Sequence, residues 1–412
     1  MKILLVHNRY RERGGEDVVV DATAALLREH GHTVALYLRH NDDLQGMSNV
    51  KANVKSNVNA AVGALWSRRT TLEVGALLQE FRPDLVHAHN TFPLISPSLY
   101  ACVARAGVPL VQTVHNFRLA CPQAMFLRDG KVCEDCLGKV PWRAVQHACY
   151  RGSRMQSAVV LGMTQLHRSL GTWQRQVARF IALSEFSRNK LVQAGLPERR
   201  ISVLGQFVAD LAPLVEPAAP RGGLLFVGRL APEKGLSVLV QALAMARKLT
   251  PDMSITVVGS GPEAAALQGV PGLRLLGNQP LPEVLRAMRR ARALLMPSQS
   301  YENFPRTLVE AFACGTPVVA SRLGALAELV QDEATGWHVD ASDISAWAQR
   351  LTWVNDPAND SALALVGQRA RAQYLAHYTL AAHHSGLKRI YETALHEAAL
   401  HAASLGAQGR SK

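Results

Sequence analysis

Residues 301–321 read "YENFPRTLVEAFACGTPVVAS", and this stretch decides the fold that we predict for the chain. An apolar strand directly precedes it. Pro305 suits the first turn of a helix that we expect to begin at Asn303 or Phe304, because that turn makes no use of the amide that proline lacks. The helix ends on a cysteine-glycine pair, and an apolar strand follows from Pro317. The order strand, helix, strand predicts a parallel α/β sheet.

The same alternation runs outward from this segment over most of the chain. In the first half it predicts strands at 2–6, 33–38, 84–88, 109–114, 180–182 and 201–204, and in the second half at 224–229, 254–259, 273–277, 293–298, 317–321 and 336–339. It fails over "VADLAPLVEPAAPRGG", which is typical of a linker. We therefore predict two Rossmann-like, doubly wound domains that face each other across a cleft, where the carboxyl ends of the strands bind ligands.

The predicted domain boundaries follow from these patterns. They are an amino-terminal domain over 1–207 with a cysteine-rich insertion at 117–155, a linker over 208–223, a carboxy-terminal domain over 224–375, a helix over 376–398 that packs back on the first domain, and a flexible tail over 399–412. A chain of 412 residues is long enough for this arrangement.

Composition narrows the class of protein. Hydrophobic residues make up 48% and charged residues 19% of the chain, which is typical of a globular protein. No apolar run is long enough to span a membrane, and the first residues are interpreted as a strand of a cytoplasmic protein. The net charge of +13 favours an anionic partner: a nucleotide, a nucleic acid or an anionic membrane surface.

The positive charge is concentrated in one segment. Between Arg151 and Arg200 there are nine Lys and Arg residues against two acids. With apolar residues between them, this stretch either lies on the inner face of a membrane or forms a solvated basic rim around a core helix.

Glu302 and Glu310 are eight positions apart: Glu302 lies in the loop before the predicted helix, and Glu310 lies further along that helix. Ionised carboxylates accept hydrogen bonds, so two of them can hold the vicinal hydroxyls of a sugar ring and a ribose. The alternative is a surface acid and an acid that the helix dipole favours. The free amides at the helix start favour an anion or a sugar at this place.

Two further loops follow predicted strands of the second domain. Gly228-Arg229 ends one strand and Lys234-Gly235 opens the next helix, so two cations meet a helix amino end where a diphosphate fits. An ordinary turn with exposed charges is the alternative. Gly259 and Gly261, in "VVGSGPE", permit a close approach of the backbone to a flat base.

The first domain offers a second set of candidates. Gly14-Gly15 follows the first strand and suits a phosphate or an acceptor, but the spacing G-x-G-x-x-G of a dinucleotide oxidoreductase is missing. His115 ends a predicted strand at the cleft. His87 and His89 are interpreted as a polar pocket wall near the acceptor rather than a metal site.

The residues quoted above carry a resemblance to a known family. "FVGRLAPEKG", "VVGSGPE" and "ENFPRTLVE" running into "AFACGTPVVAS", together with "QTVHN" and Gly14-Gly15, resemble the retaining group 1 glycosyltransferases of family 4, which have the GT-B fold. The resemblance covers nearly the whole chain.

The resemblance implies a role for each matched residue. Arg229 and Lys234 would hold the donor diphosphate, Glu310 the ribose, and Glu302 with the backbone of Asn303 and Phe304 the donor sugar. His115 would touch the sugar near the reacting centre, Gly259 and Gly261 would border the donor, and Gly14, Gly15 and His89 would border the acceptor. A departing phosphate oxygen would take the acceptor proton, so retention needs no carboxylate nucleophile. The two cations stand where a metal would otherwise neutralise charge, so no catalytic metal is expected.

Four cysteines fall in the predicted insertion: Cys121, Cys133, Cys136 and Cys149. Four thiolates suit tetrahedral zinc, and reduced, partly buried thiols are the alternative. His147 is a substitute ligand, whereas Cys102 and Cys314 are interpreted as core residues.

The predicted function is transfer of a hexosyl unit from a nucleotide-diphosphate sugar to a glycan or lipid-linked acceptor in cell-envelope or exopolysaccharide synthesis, with no nucleic-acid partner. A GT-B sugar-nucleotide epimerase and a non-catalytic module that binds nucleotide sugars or nucleic acid are the alternatives.

Overall fold

The computed structural model describes residues 1–12, 14–44, 61–210 and 221–409. The chain forms two compact units. The first comprises Met1–Ala124, Glu134–Leu204 and His384–Lys412, and the second comprises Met125–Cys133 and Gly205–His383. Most of the expected linker, residues 211–220, lies outside the described residues.

The first unit is built on a six-stranded parallel sheet with the order β2-β1-β3-β4-β7-β8. Its strands are β1 (Lys2–Arg9), β2 (Thr33–His40), β3 (Leu85–Ala88), β4 (Leu110–Thr113), β7 (Arg179–Ala182) and β8 (Ile201–Val203). Strands β3 and β4 are buried at every position, as expected for a parallel sheet covered on both faces. Every strand runs in the same direction, so all carboxyl ends meet at one edge.

Helices connect the strands of the first unit. They span Gly15–Glu29, Arg68–Phe81, Ser98–Arg105, Trp142–Gln146, Arg154–Ser169, Thr172–Gln176 and Glu185–Gln193, with a helical stretch at 61–65 and single 3₁₀ turns at Asn41–Leu44 and Glu198–Arg200. The last helix of the chain, Leu380–Gly409, contributes Leu387, Tyr391 and Ala394 to the core of this unit.

The second unit repeats the architecture with the order β11-β10-β9-β12-β13-β14. Its strands are β9 (Leu224–Val227), β10 (Ile255–Val258), β11 (Leu273–Gly277), β12 (Ala293–Met296), β13 (Val318–Ser321) and β14 (Gly336–Val339). The helices span Leu236–Ala246, Leu281–Arg290, Arg306–Ala313, Gly324–Leu329, Ile344–Asn355 and Asp360–His377, and 3₁₀ turns lie at Pro232–Lys234, Ala265–Leu267 and Pro357–Asn359.

The helix in the opening stretch begins later than the sequence predicts. Its first residue is Arg306, and Pro305 stands before it with φ −77° and ψ 117°. The ring of Pro305 disfavours a helical conformation of the preceding residue, so Asn303 and Phe304 stay outside the helix. The Pro305 carbonyl accepts the amide of Leu308 at 3.1 Å and thereby caps the first turn.

The last helix extends into residues 399–412, the segment that we expected to be a flexible tail. The helix continues through Gly409, and residues 410–412 lie outside the described residues. The segment is rich in alanine, which has the highest helix propensity.

The cysteine-rich insertion contains little regular structure. A short antiparallel hairpin pairs β5 (Leu127–Arg128) with β6 (Lys131–Val132), and residues 125–133 belong to the second unit rather than the first.

Candidate functional site

In the second unit, three neighbouring strands end at one edge of the sheet. Strands β10, β9 and β12 lie side by side, and their following loops carry the charged and glycine residues that the sequence singled out. Arg229 follows β9, Gly259 follows β10, and Glu302 follows β12. The sheet therefore assembles these residues although up to 73 positions separate them in the sequence.

The glycines of these loops allow backbones to pack against each other. A Cβ atom on Gly259 would lie 1.9 Å from the carbonyl oxygen of Gly228, and one on Gly261 would lie 2.3 Å from that of Leu230. A Cβ on Gly235, where φ is 73°, would lie 1.9 Å from the carbonyl oxygen of Pro297. The contact between loops accounts for glycine at all three positions, whereas the sequence suggested an approach by a base.

Lys234 and Glu302 form an ion pair at the centre of this edge. The Lys234 Nζ atom lies 2.6 Å from Glu302 Oε1, and the Ser298 hydroxyl donates to the same oxygen at 2.8 Å. Burial by itself raises the pKa of Glu302, but the charge and hydrogen bond of Lys234 and the Ser298 hydroxyl outweigh it, so the pKa is lowered overall. Glu302 is therefore an ionised carboxylate that is largely excluded from solvent.

Arg229 presents its guanidinium to solvent. Its side chain is 62% exposed, and Nη2 donates to Glu233 Oε1 at 2.8 Å. The ion pair is exposed on the arginine side, so it restrains the side chain only weakly. Arg229 thus provides a mobile positive charge beside the glycine loops.

Glu310 is the fifth of the eight residues of the helix Arg306–Ala313 and is buried. Burial raises its pKa, although Arg306, whose Nη2 lies 3.5 Å from Oε1, acts in the opposite direction. The residues on either side, Val309 and Ala311, are fully buried.

Asn303 and Phe304 lie in the loop before this helix. The Phe304 side chain is buried and packs edge-on against Tyr378, with ring centroids 5.8 Å apart. This ring belongs to the core, so Phe304 can offer only its backbone to a ligand. Asn303 is partly exposed.

In the first unit, four histidines meet near the carboxyl ends of β1, β3 and β4. His87 Nδ1 lies 2.6 Å from the Tyr391 hydroxyl, and His89 Nδ1 lies 2.8 Å from His115 Nε2. The ring centroid of His7 is 6.2 Å from that of His89. Burial, with smaller effects of His7 and His87, lowers the pKa of His115 to about 3. His115 is therefore neutral at physiological pH.

Gly14 and Gly15 begin the helix Gly15–Glu29. The Gly14 amide donates to Asp17 Oδ2 at 2.8 Å, and a Cβ atom on Gly14 would make only ordinary contacts, the nearest at 3.8 Å. Packing does not demand a glycine at position 14. The missing side chain leaves the start of the helix open.

Sequence reasoning missed a polar cluster beside these glycines. Glu16 Oε2 accepts the Tyr10 hydroxyl at 3.0 Å, and Oε1 accepts Asn116 Nδ2 at 3.3 Å. Burial raises the pKa of Glu16 to about 7. His7 Nε2 and Asp17 Oδ1, 2.8 Å apart, form a second buried pair. Glu16 and Asn116 directly follow Gly15 and His115 in sequence, and that adjacency was the available signal.

The four cysteines of the insertion, Cys121, Cys133, Cys136 and Cys149, lie outside its helices and strands. Within the described ranges, no three His, Cys, Asp or Glu side chains are arranged to hold a metal ion, and none of the cysteines forms a disulfide. Local turns fix their positions instead: the Cys121 amide donates to the Phe117 carbonyl at 2.7 Å, and the Cys133 amide to the Phe126 carbonyl at 2.8 Å. The zinc site expected at Cys121, Cys133, Cys136 and Cys149 stays a prediction.

None of the described helices is both long enough and apolar enough to cross a membrane.

The comparisons with known proteins agree with this geometry. The family model "Glycosyltransferase Family 4" matches residues 13–209, and "Glycosyl transferases group 1" matches residues 220–372. The structure of HepE from Anabaena in complex with UDP is similar to this chain with a TM-score of 0.63 and 18% identity, and the similarity covers 95% of this chain and 99% of the HepE chain. A glycosyltransferase structure from Rickettsia africae is similar with a TM-score of 0.68 and 16% identity, over 96% of this chain and 98% of the Rickettsia chain.

Two relatives align over part of the chain. A phosphatidyl-myo-inositol mannosyltransferase of Mycobacterium leprae is 32% identical over 54% of this chain and 61% of its own length. A D-inositol 3-phosphate glycosyltransferase of an Arthrobacter species is 35% identical over 41% of this chain and 44% of its own. The chain thus spans about half the length of these relatives.

Two parallel α/β sheets with glycine-bearing loops at their carboxyl edges define the class of two-domain proteins with the GT-B fold. Two family models together match most of the sequence. The chain belongs to the group 1 glycosyltransferases of family 4.

Proposed function

We propose that the protein is a retaining glycosyltransferase that moves a hexosyl unit from a nucleotide-diphosphate sugar to a glycan or lipid-linked acceptor in envelope or exopolysaccharide synthesis. The observation that carries the proposal is the meeting of Arg229, Lys234 and Glu302 at the carboxyl edge of one sheet, where α/β folds bind ligands. Family membership supports the same activity.

The donor diphosphate is proposed to lie against Arg229 and Lys234. Both cations stand at the loop that joins β9 to the helix Leu236–Ala246, and neither is fully buried. A diphosphate would take over part of the interaction that Lys234 now makes with Glu302. Structures of the Anabaena protein in complex with UDP and UDP-glucose are consistent with a donor of this class.

The sugar and the ribose are proposed to contact the two carboxylates. Glu302 has a lowered pKa, so it is ionised and accepts hydrogen bonds from hydroxyl groups. Among the described residues, Arg306 is the charged group that acts on buried Glu310. A diol that donates to Glu310 would compensate for its burial. The backbone of Asn303 and Phe304 completes the donor pocket.

The proposed reaction is a displacement at the anomeric carbon of the donor sugar. The bond between the anomeric carbon and the diphosphate oxygen breaks, and the acceptor oxygen bonds to that carbon on the same face. The acceptor proton passes to an oxygen of the departing phosphate. Arg229 and Lys234 balance the growing negative charge, and each contributes about 2–4 kcal/mol of transition-state stabilisation. Because these two cations supply that charge, the proposal includes no catalytic metal.

The first unit is proposed to receive the acceptor near Gly14, Gly15 and His89, and His115 is proposed to touch the sugar near the reacting centre. The open helix start beside Gly14 suits a polar group, and neutral His115 can exchange hydrogen bonds with hydroxyls. Glu16 lies in the same region and adds a carboxyl group with a raised pKa.

A panel of nucleotide sugars tests the activity. Released nucleoside diphosphate is measured with and without a glycan or lipid-linked acceptor, and the anomeric configuration of the product is read by NMR. We expect acceptor-dependent release with retained configuration. An epimerase would convert the donor sugar without any acceptor, and a binding module would release nothing.

We further propose a peripheral contact with the inner face of an anionic membrane. Residues 136–184 contain seven Lys and Arg and no Asp or Glu. The helix Arg154–Ser169 leaves apolar Met155 and Leu166 exposed, and Trp142 on the preceding helix is 56% exposed. Exposed apolar residues among cations are typical of surfaces that lie on anionic lipid.

Vesicle binding tests the membrane contact. Trp142→Ser with Met155→Ser is expected to lower co-sedimentation with vesicles that contain phosphatidylglycerol. Leu249→Ser is the matched control, because Leu249 is 81% exposed in the second unit. Equal sedimentation of all variants would contradict the contact.

A further inference from the structure

A concave pocket lies at the edge of the first unit's sheet where the strands begin. Its volume is about 670 Å³. The lining includes Pro109, Leu110, Arg175, Arg199, Arg200 and Glu397. Pro109 precedes β4 and Arg200 precedes β8, whereas His115 follows the other end of β4. The pocket is therefore separate from the candidate acceptor region.

The charge around this pocket is unbalanced. Three arginines line it, and Glu397 is the only carboxylate among its described lining residues. That carboxylate is already paired with Arg179, a fourth arginine. Burial lowers the pKa of the Arg200 guanidinium, and the charge of Arg199 acts in the same direction. Among the described lining residues, Glu397 is thus the single counter-charge for the arginines of this cluster.

Part of the cluster is held rigidly. Arg200 Nη1 donates to the carbonyls of Gln174 at 2.7 Å and Val177 at 3.0 Å, and Arg179 Nη1 donates to the Arg199 carbonyl at 2.7 Å. The buried Arg179 Nε has no hydrogen-bond partner among the described residues. Guanidinium groups that are already fixed lose little entropy when they bind an anion.

We propose that this pocket binds a phosphate group through Arg175, Arg199 and Arg200. Several guanidinium groups around one site match the several oxygens of a phosphate better than the two of a carboxylate. The volume lies in the range of small-molecule sites, so the phosphate carries a further moiety. Its source is either an anionic lipid headgroup or a soluble phosphorylated compound. The site is independent of the proposed glycosyl transfer.

The test removes the two rim arginines. Arg175→Ala with Arg199→Ala is compared with Arg369→Ala with Arg389→Ala, which removes two exposed arginines elsewhere. Arg229→Ala with Lys234→Ala is present throughout, so that the proposed donor site binds no probe. Calorimetry measures the binding of inorganic pyrophosphate. Flotation measures the binding to phosphatidylcholine vesicles with and without phosphatidic acid.

We expect either that one pyrophosphate binds per chain or that the protein binds the acidic vesicles. The rim variant should weaken that affinity about tenfold or more, which is equivalent to about 1.4 kcal/mol. The affinity of the control variant should stay within about twofold of the unmodified rim. If pyrophosphate binding depends on Arg175 and Arg199, the ligand is a soluble phosphorylated compound. If only vesicle binding depends on them, the ligand is a lipid headgroup. If neither probe responds to loss of Arg175 and Arg199, the proposal is overturned.

A second variant protects the test against misfolding. Glu397→Gln removes the one negative charge and is expected to strengthen binding by about threefold or more, since less attraction is lost to an internal partner. Unchanged or weaker binding by Glu397→Gln would contradict the proposal even if the rim variant did not fold.

Discussion

The ammonium group of Lys234 lies 2.6 Å from Glu302 Oε1, across 68 positions of sequence, and links the loops that follow β9 and β12. Both side chains are mostly excluded from solvent. The pair holds the cation and the carboxylate proposed for the diphosphate and the sugar at one place before any donor arrives.

Loss of Lys234 is expected to destabilise the fold because it leaves Glu302 without its counter-charge. Lys234→Ala should lower the free energy of unfolding by about 1–3 kcal/mol. Adding Glu302→Gln should restore part of that loss, because a neutral amide needs no cation. Chemical denaturation of the wild type, the two single variants and the double variant measures the interaction energy between Lys234 and Glu302. Additive losses in the double variant would mean that the pair contributes no interaction energy.

The same pair predicts a pH dependence. Its lowered pKa means that Glu302 stabilises the folded state above its unfolded pKa near 4.5, and that this contribution disappears as pH falls through the folded value. In Lys234→Ala, the free energy of unfolding should therefore fall less on acidification than it does in the wild type.

Glu310 is expected to act on donor binding. Glu310→Gln keeps the shape of the side chain but replaces one acceptor oxygen with a donor, so a ribose diol would lose a partner. We expect donor affinity to fall by about tenfold, with thermal unfolding within a few degrees of wild type. Asp252→Asn, at an exposed position, is the control. Unchanged affinity in Glu310→Gln would leave the buried carboxylate with a structural role only.

The glycine loops give a prediction on stability. Gly259→Ala would bring a Cβ to 1.9 Å from the Gly228 carbonyl, whereas Gly269, with φ 74°, has open space around a Cβ. Gly269→Ala should cost about 1 kcal/mol for its left-handed backbone. Gly259→Ala should cost clearly more, because two backbones must separate. The denaturant midpoints of the two variants measure this difference. Equal midpoints would contradict the close packing of Gly259 against the Gly228 carbonyl.

Sequence patterns predicted the strands well because each strand of a parallel sheet is a short apolar run with a clear end. The approach of Lys234 to Glu302 was harder to predict, since it depends on which strands are neighbours: β12 lies beside β9 rather than beside β11. The four cysteines of the insertion left zinc and reduced thiols as alternatives, because the spacing of residues in irregular turns carries no information on the direction of their side chains.

Phe304 and Glu16 show what a linear pattern omits. Phe304 stands among the predicted donor residues, yet its ring fills the core beside Tyr378. Glu16 has no motif of its own, and its raised pKa arises only when the fold buries it.

Glu16 provides a second test by pH. Its folded pKa of about 7 lies above the unfolded value of 4.5, so the folded state binds the proton more tightly and stability falls as pH rises between them. Glu16→Gln should remove up to about 3 kcal/mol of this fall. Denaturation at pH 5 and pH 8 measures it, with Glu29→Gln, an exposed carboxylate on the same helix, as the control. A pH profile identical to wild type would contradict the raised pKa of Glu16.

The proposed activity requires that the second unit binds a nucleoside diphosphate through Arg229 and Lys234. Calorimetric titration of wild type and Arg229→Ala with a panel of nucleoside diphosphates and their sugars tests it most directly, because Arg229 is 62% exposed and its loss should leave the fold intact. We predict that at least one nucleotide binds one per chain and that Arg229→Ala weakens it about tenfold or more, while Arg369→Ala leaves it unchanged. Equal affinity in wild type and Arg229→Ala, or no binding by any member of the panel, would contradict the claim.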